Sequence, residues 1–256
     1  MKLTRTVRGA ALLAALATGG YAAAVRPWLL RWGATGEEAA RRLPGDELVA
    51  RPRYQQTHAV TIQAPPERVW PWLVQLGQGR GGLYSYDRLE NLFGLDMHSA
   101  DRIVPELQHL ELGDEIRLVP DDVKAPLVLK VVSMEPGRWL VLTAPGDIDQ
   151  ALAAGLPWPS WAFVLEPAGP GATRLLVRWR SDFKPTLAGW LVNKYALEPV
   201  HFVMERKMLL GIKRRAEAAV PRPASATWRS PGRLEDDRRR CEHALDEGAT
   251  AARDAG

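Results

Sequence analysis

The sequence predicts an α+β domain in which a curved antiparallel sheet wraps around one long C-terminal α-helix. Three observations carry that expectation. Short apolar and β-branched segments recur between Ile103 and Trp179, separated by Gly, Pro and Asp turns, a spacing that suits hairpins and not βαβ crossovers. A strand and two helical runs precede them, from Tyr54 to Phe93. A long amphipathic run, from about Leu187 or Ala196 to Val220, follows them.

Lys2, Arg5 and Arg8 precede seventeen uncharged residues, Gly9–Val25. That is the short end for a bilayer span, and the run is alanine-rich. Trp28, Leu29, Leu30 and Trp32 extend it toward an interfacial belt, with Arg26 and Arg31 snorkelling. Residues 1–32 are therefore expected to be a hydrophobic helix that associates with a membrane through residues 9–32. Two alternatives stay open, a membrane-lying helix and a signal peptide cut near Ala22-Ala23-Ala24, with export of the remainder. Residues 33–53 are polar, with Pro44-Gly45-Asp46, and read as a linker holding one short helix over Glu37–Leu43.

The folded domain is expected over residues 54–220. Tyr54 to Gln63 alternates His58, Val60, Ile62 against Thr57, Ala59, Thr61, the period of a half-buried strand. Pro65-Pro66-Glu67 suits a helix start, where a missing amide costs nothing. Val69, Trp70, Leu73 and Leu76 form one face, Pro71 predicts a bend, and Gly77 ends the run. A second short helix is expected over Tyr84–Phe93. Strands follow at Glu115–Pro120, Leu127–Met134, Trp139–Thr143, Trp161–Glu166 and Thr173–Trp179. In the last helix Val200, Met204, Met208 and Ile212 recur every fourth residue, and Glu205, Arg206, Lys213 and Glu217 are expected to point elsewhere. Pro221-Arg222-Pro223 closes it, and the charged stretch 221–256 has too little apolar surface to fold. A curved sheet buries its concave face only against another layer, and the late helix is long enough to supply one. The order is that of a helix-grip fold.

Composition narrows function. The net charge is +4, from 34 Lys/Arg and 30 Asp/Glu, but the excess lies in residues 1–53, with nine basic against four acidic. Residues 54–220 carry eighteen against nineteen. A phosphate-binding surface concentrates charge on the folded part, so nucleic acid is not an expected partner. Ten tryptophans supply large apolar area for a core or a pocket wall. Cys241 stands alone, which rules out an intramolecular disulfide and a thiolate zinc site. Gly77-Gln78-Gly79-Arg80-Gly81-Gly82 lacks the Lys-Ser/Thr ending of a phosphate loop and joins two helices, so it reads as a tight packing turn.

Four stretches carry a resemblance to a known family: VTIQAPPERVWPWLVQLG, GRGGLYSYDRLENLFGLDMHSADRIVPEL, WAFVLEP with TRLLVRWR, and EPVHFVMERKMLLGIKRRAE. They resemble the SRPBCC proteins of the START-like superfamily, the polyketide cyclase/dehydrase-like and lipid-transfer-like group. More narrowly they are similar to a bacterial subgroup with an N-terminal hydrophobic segment. The resemblance covers residues 54–220. It implies a sheet gripping the C-terminal helix around an apolar cavity, with no cofactor and no shared catalytic motif, so the reaction does not follow from the fold.

Candidate residues fall into two groups. Asp96, His98, Asp101 and Glu106 form one acid–base cluster; with Asp87 nearby, His98, Asp87 and Asp101 are the catalytic candidates, against a capping and turn role. A metal site is not expected, because a second histidine is missing. Tyr84, Tyr86, Trp161, Trp179, Phe202, Met204 and Met208 are the ligand-binding candidates, the two tyrosines reading equally well as core rings. His201 reads as a packing or capping histidine. Binding or transfer of a hydrophobic small molecule is the function expected first. A cyclase- or dehydratase-type enzyme and an interaction domain with a filled cavity are the alternatives.

Overall fold

The computed structural model describes residues 18–92, 94–120 and 127–218. Six strands form one antiparallel sheet: β1 (Tyr54–Ile62), β2 (Glu115–Arg117), β3 (Val128–Glu135), β4 (Trp139–Thr143), β5 (Trp158–Pro167) and β6 (Thr173–Asp182). The order is β1-β6-β5-β4-β3-β2, so β2 to β6 form a meander and β1 returns to the far edge beside β6. A bulge between Val131 and Ser133 interrupts the β3–β4 register.

Seven helices accompany the sheet among the described residues. They are α1 (Arg26–Leu29), continuing a π-helical turn over Tyr21–Val25, α2 (Gly36–Ala40), α3 (Pro66–Val74), α4 (Asp87–Leu92), α5 (Ile148–Ala153), α6 (Leu187–Val192) and α7 (Glu198–Ala218). A second π-helical turn, Asn193–Leu197, joins α6 to α7. Pro71 sits inside α3, where Val69, Trp72 and Leu73 are buried and Trp70 is not, so Trp72 takes the inward place expected of Trp70.

Strand alternation decides which layer each residue joins. Val60, Trp161, Phe163, Leu165, Leu175 and Val177 face the main core, with Met208, Leu209, Ile212 and Ala216 of α7 opposite. This is the grip: helix against the sheet's inner face. Ala59, Val164 and Leu176, one residue out of phase, pack instead with Leu43, Ala34 and Trp139. The sheet is therefore covered on both faces.

That second cover corrects the expected linker. Residues 33–53 are part of the fold, with Leu43 and Val49 buried and Asp46 at 8 % exposure. Their charges answer two arginines of β6 and an acid of β5 instead of water: Arg174 donates to Glu38 at 2.8 Å, Arg41 to Glu166 at 2.6 Å, and Arg178 to Asp46 at 2.7 Å. Thr35 and Glu38 close a capping box on α2. Arg178, 2 % exposed, donates to the carbonyls of Glu38, Ala39 and Arg41 at the other end of that helix, and to the Thr57 hydroxyl. It thereby satisfies the carbonyls a helix C-terminus leaves open.

Arg174 holds the Glu38 carboxyl down to about 2, burial opposing and the Thr35 amide assisting. A carboxyl depressed in the fold stabilises it above its unfolded pKa, about 4.3, and loses that contribution as pH falls through the folded value. Urea stability is expected to drop between about pH 4.5 and 2, and Glu38→Gln to flatten part of that slope.

The N-terminal segment is also docked. The Thr57 and Ala59 amides of β1 donate to the Leu30 and Trp32 carbonyls, which cover the open edge of the strand. Arg26 forms a two-bond pair with Glu198, and Tyr21 donates to the Lys194 carbonyl. Among the described residues no helix is long and apolar enough to cross a membrane. Residues 9–17 of the expected membrane segment, and the expected tail 221–256, lie outside the described residues.

Candidate functional site

A cavity of about 270 Å³ remains between the sheet, α7 and the segment that follows α3. Leu118 and Leu127 close one side, Trp161 of β5 and Trp179 of β6 form the floor, and Met204 and Met208 of α7 the roof. Leu83, Ser85, Glu90, Leu95 and Met97 complete the wall. The roof follows from helical phase: Met204 and Met208 are one turn apart on the inward side. Gly211, one turn on, lets the loop at Tyr84 touch the helix, because a Cβ there would stand 2.5 Å from the Tyr84 carbonyl oxygen. Gly82 brings the same loop against His98 and Ser99, where a Cβ would meet backbone at 2.7 Å. The glycine turn is packing geometry.

The structure divides the expected site residues. Trp161, Trp179, Met204 and Met208 line the cavity. Phe202 points the other way, edge-on to Trp28 and His58. Tyr84 is a core ring, 1 % exposed, with Arg215 stacked over it and its hydroxyl donating to the Trp72 carbonyl. Burial pushes that hydroxyl up to about 12. Tyr86 lies on the surface under Lys207.

The acid–base candidates do not converge on the cavity. His98 and Asp96 pair with each other in solvent. Asp101, 93 % exposed, receives Arg215. Asp87 accepts from both the amide and the hydroxyl of Ser99, bonds that fix the loop. Each is engaged in a surface or loop contact away from the cavity lining.

Two polar groups that the sequence reading set aside sit deeper. Glu205, expected to point away, is 2 % exposed and lines the cavity beside His201. Its Oε2 accepts from Gln56 at 2.8 Å and lies 3.0 Å from His201 Nε2, while Oε1 is 3.0 Å from His58 Nδ1. His58 Nε2 is 2.8 Å from the Leu29 carbonyl, which only accepts, so that nitrogen carries a proton. His58 Nδ1 and Glu205 Oε1 stand close without a hydrogen bond of good geometry between them. Burial alone would raise the Glu205 carboxyl; His58 and His201 outweigh it and hold the group below its usual range. Tyr54 extends the network by donating to Gln56, and burial together with Glu205 pushes its hydroxyl upward. The two imidazoles flank the carboxylate at 3.0 Å, one on each oxygen. Among the described residues no group of three His, Cys, Asp or Glu side chains is arranged to hold a metal.

Glu90 is the other. It is 3 % exposed, on the cavity wall, and neither carboxyl oxygen has a hydrogen-bond partner. Ser85, beside it, gives its hydroxyl to the Met204 carbonyl. Burial raises the Glu90 carboxyl and the charge of Asp87 adds to that, while the nearby Ser85 hydroxyl and Tyr86 amide pull the other way without forming a hydrogen bond of good geometry.

No family model matches the chain, and no curated protein does. Solved structures similar to it include protein MLL2253 from Mesorhizobium loti, at 17 % identity over 65 % of this chain and 100 % of that one, TM-score 0.35. A truncated norcoclaurine synthase from Thalictrum flavum matches at 13 % identity over 63 % and 91 %, TM-score 0.39. DR_A0006 from Deinococcus radiodurans matches at 18 % over 65 % and 100 %, TM-score 0.33. At these scores the likenesses carry no argument. The fold stands on the sheet order and the gripped helix, and the function on the cavity.

Trp161, Trp179 and the two methionines were accessible to sequence reasoning because aromatic and thioether side chains on strand and helix faces suit a cavity wall. Glu205 carried a signal too. Phe202, Glu205, Leu209, Ile212 and Ala216 form one stripe at three- and four-residue spacing, all buried. Reading residue type before helical phase placed the acid outside. Glu90 sits in LeuGluAsn89–91 without any such pattern.

Proposed function

We propose that the chain is an SRPBCC-type, START-like domain that binds or transfers one hydrophobic small molecule held in this cavity. The observation that carries the reading is an apolar, partly open space of about 270 Å³ between the sheet and the gripped helix. Protein interiors pack at near-crystalline density, and ligand sites begin at roughly this size, about 300 Å³. A filled interaction domain would not retain it. A cyclase or dehydratase working through His98, Asp87 or Asp101 would have its acid and base outside the pocket, so binding is favoured over that chemistry.

Solvent extraction of the purified protein followed by mass spectrometry tests the reading directly. One apolar species in near-stoichiometric amount is the expected result. Met204→Trp places an indole in the space from its half-buried edge, and is expected to abolish recovery of that species with far-UV circular dichroism unchanged. Recovery of the same species from this variant would put the ligand elsewhere.

Membrane association through residues 9–32 forms a separate part of the proposal. Supporting it, Leu187, Trp190, Val192, Leu197 and Val200 are all at least 46 % exposed on α6, the π turn and the start of α7. Tyr21 of the N-terminal helix touches this stretch through Lys194 and the ring of Tyr195. Apolar patches of this kind, with Trp, Tyr and Lys together, suit a bilayer interface. The full chain is expected to float with vesicles, and deletion of residues 1–17 to weaken flotation. A full chain found only in the soluble fraction would remove this part of the proposal and leave the cavity untouched.

A further inference from the structure

The wall of the cavity is apolar except at a few places, and three of its residues hold a polar atom without a hydrogen bond, of which Glu90 and Trp161 have no charged neighbour within ion-pair distance either, among the described residues. Glu90 presents a carboxyl with no partner on either oxygen, and Trp161 an indole N–H with none. Of the other polar side chains of the wall, Ser85 gives its hydroxyl to a carbonyl and Glu205 Oε2 is held by Gln56 and His201, while Glu205 Oε1 forms no hydrogen bond and lies 3.0 Å from His58 Nδ1. A buried polar group without a partner costs about 1–3 kcal/mol, and more when charged, so such a group is rare in a folded core unless something completes it. Glu90 is not a cap that has slipped. Its helix is bonded on its own account, with the Glu90 amide donating to the Tyr86 carbonyl, and Asn91 holds the following loop through the Met97 backbone.

We propose that the cavity's ligand is an apolar molecule carrying a hydroxyl group, with Glu90 receiving its O–H and the Trp161 indole available to its oxygen. The inference rests on the cavity reading above and specifies it. A hydroxyl is the small group that supplies a donor and an acceptor at once, which is what the two orphan positions lack. A carboxylate ligand is disfavoured at this end, since it would face Glu90. A hydrocarbon would fill the space and leave both positions unpaired. Burial, which raises the Glu90 carboxyl, suits contact with a neutral hydroxyl better than with bulk ions.

The test uses four probes of one skeleton on the full-length protein: naphthalene, 2-methoxynaphthalene, 2-naphthol and 2-naphthylmethylammonium, each titrated by calorimetry. Naphthalene and its methoxy ether report on the apolar space alone. 2-Naphthol is expected to bind about tenfold or more tighter than the ether, which keeps the oxygen and lacks the proton. Glu90→Leu is expected to erase that preference while leaving naphthalene binding intact. Because it removes an unpaired buried acid, this variant is also expected to be at least as heat-stable as the parent. Equal affinity for naphthol and ether, or a preference that survives in Glu90→Leu, overturns the assignment. Tighter binding of the ammonium probe than of naphthol also overturns it, in favour of a cationic ligand. Failure of all four probes to bind sinks the cavity reading itself.

Discussion

Glu205→Ala is expected to cost about 3–5 kcal/mol of folding stability, among the largest single losses available in the chain. The carboxylate is the shared partner of His58, His201 and Gln56, and its removal leaves all three facing a hole. His58 is fully buried and already gives its other nitrogen to Leu29, so it finds no substitute. Urea titration at pH 7 measures the loss. The double variant His58→Phe with Glu205→Leu removes both members of the most deeply buried pair and is expected to recover a substantial part of it, because an apolar replacement of matching size strands fewer polar groups. An alanine variant as stable as the parent would show that the network is not holding α7 to β1. The charge balance also predicts acid sensitivity. Glu205 is held low, so its contribution is present at neutral pH and fades as pH falls below about 4.

Arg178→Met is expected to produce a loss of similar size through a different element. This guanidinium links β6 to α2, the Asp46 carboxylate and the Thr57 hydroxyl in one fork. Methionine keeps the stem and abandons every one of those acceptors, leaving Asp46 buried with Arg180 as its remaining cation. Loss of about 3 kcal/mol and new proteolytic cuts between residues 33 and 53 are the expected signs. Arg178→Lys is not expected to rescue, since one ammonium cannot reach acceptors spread around a planar fork. Unchanged protease resistance in the methionine variant would mean that the segment is held by its apolar contacts at Leu43 and Val49.

These two residues mark where the sequence was legible and where it was not. The hairpin meander was readable because each turn carries its own Gly, Pro or Asp signal, and backbone preference there is local. Helix α7 was readable as an element because its apolar spacing runs for five turns. Its inward face was harder. Val200 continues the four-residue series and is 59 % exposed, while Glu205 breaks it by type and is buried. Burial of an acid depends on partners from β1, more than a hundred residues away, and no local pattern encodes them. The segment 33–53 failed for the same reason. Glu38, Arg41 and Asp46 look solvated one at a time, and only the arginines of β6, spaced to face one side of the strand, show that the charges are matched. The cavity wall was half legible: large apolar residues on strand and helix are cheap to guess, and Glu90 is not.

One consequence of the edge contacts at Leu30 and Trp32 concerns distance. The carbonyls of these residues are bonded into β1, Arg26 is bonded to α7, and the helix continues back through Tyr21 without a break. No slack chain separates the apolar run that ends at Val25 from the domain. A bilayer gripping that run would hold the domain as a bracket holds a shelf, at one height and one orientation.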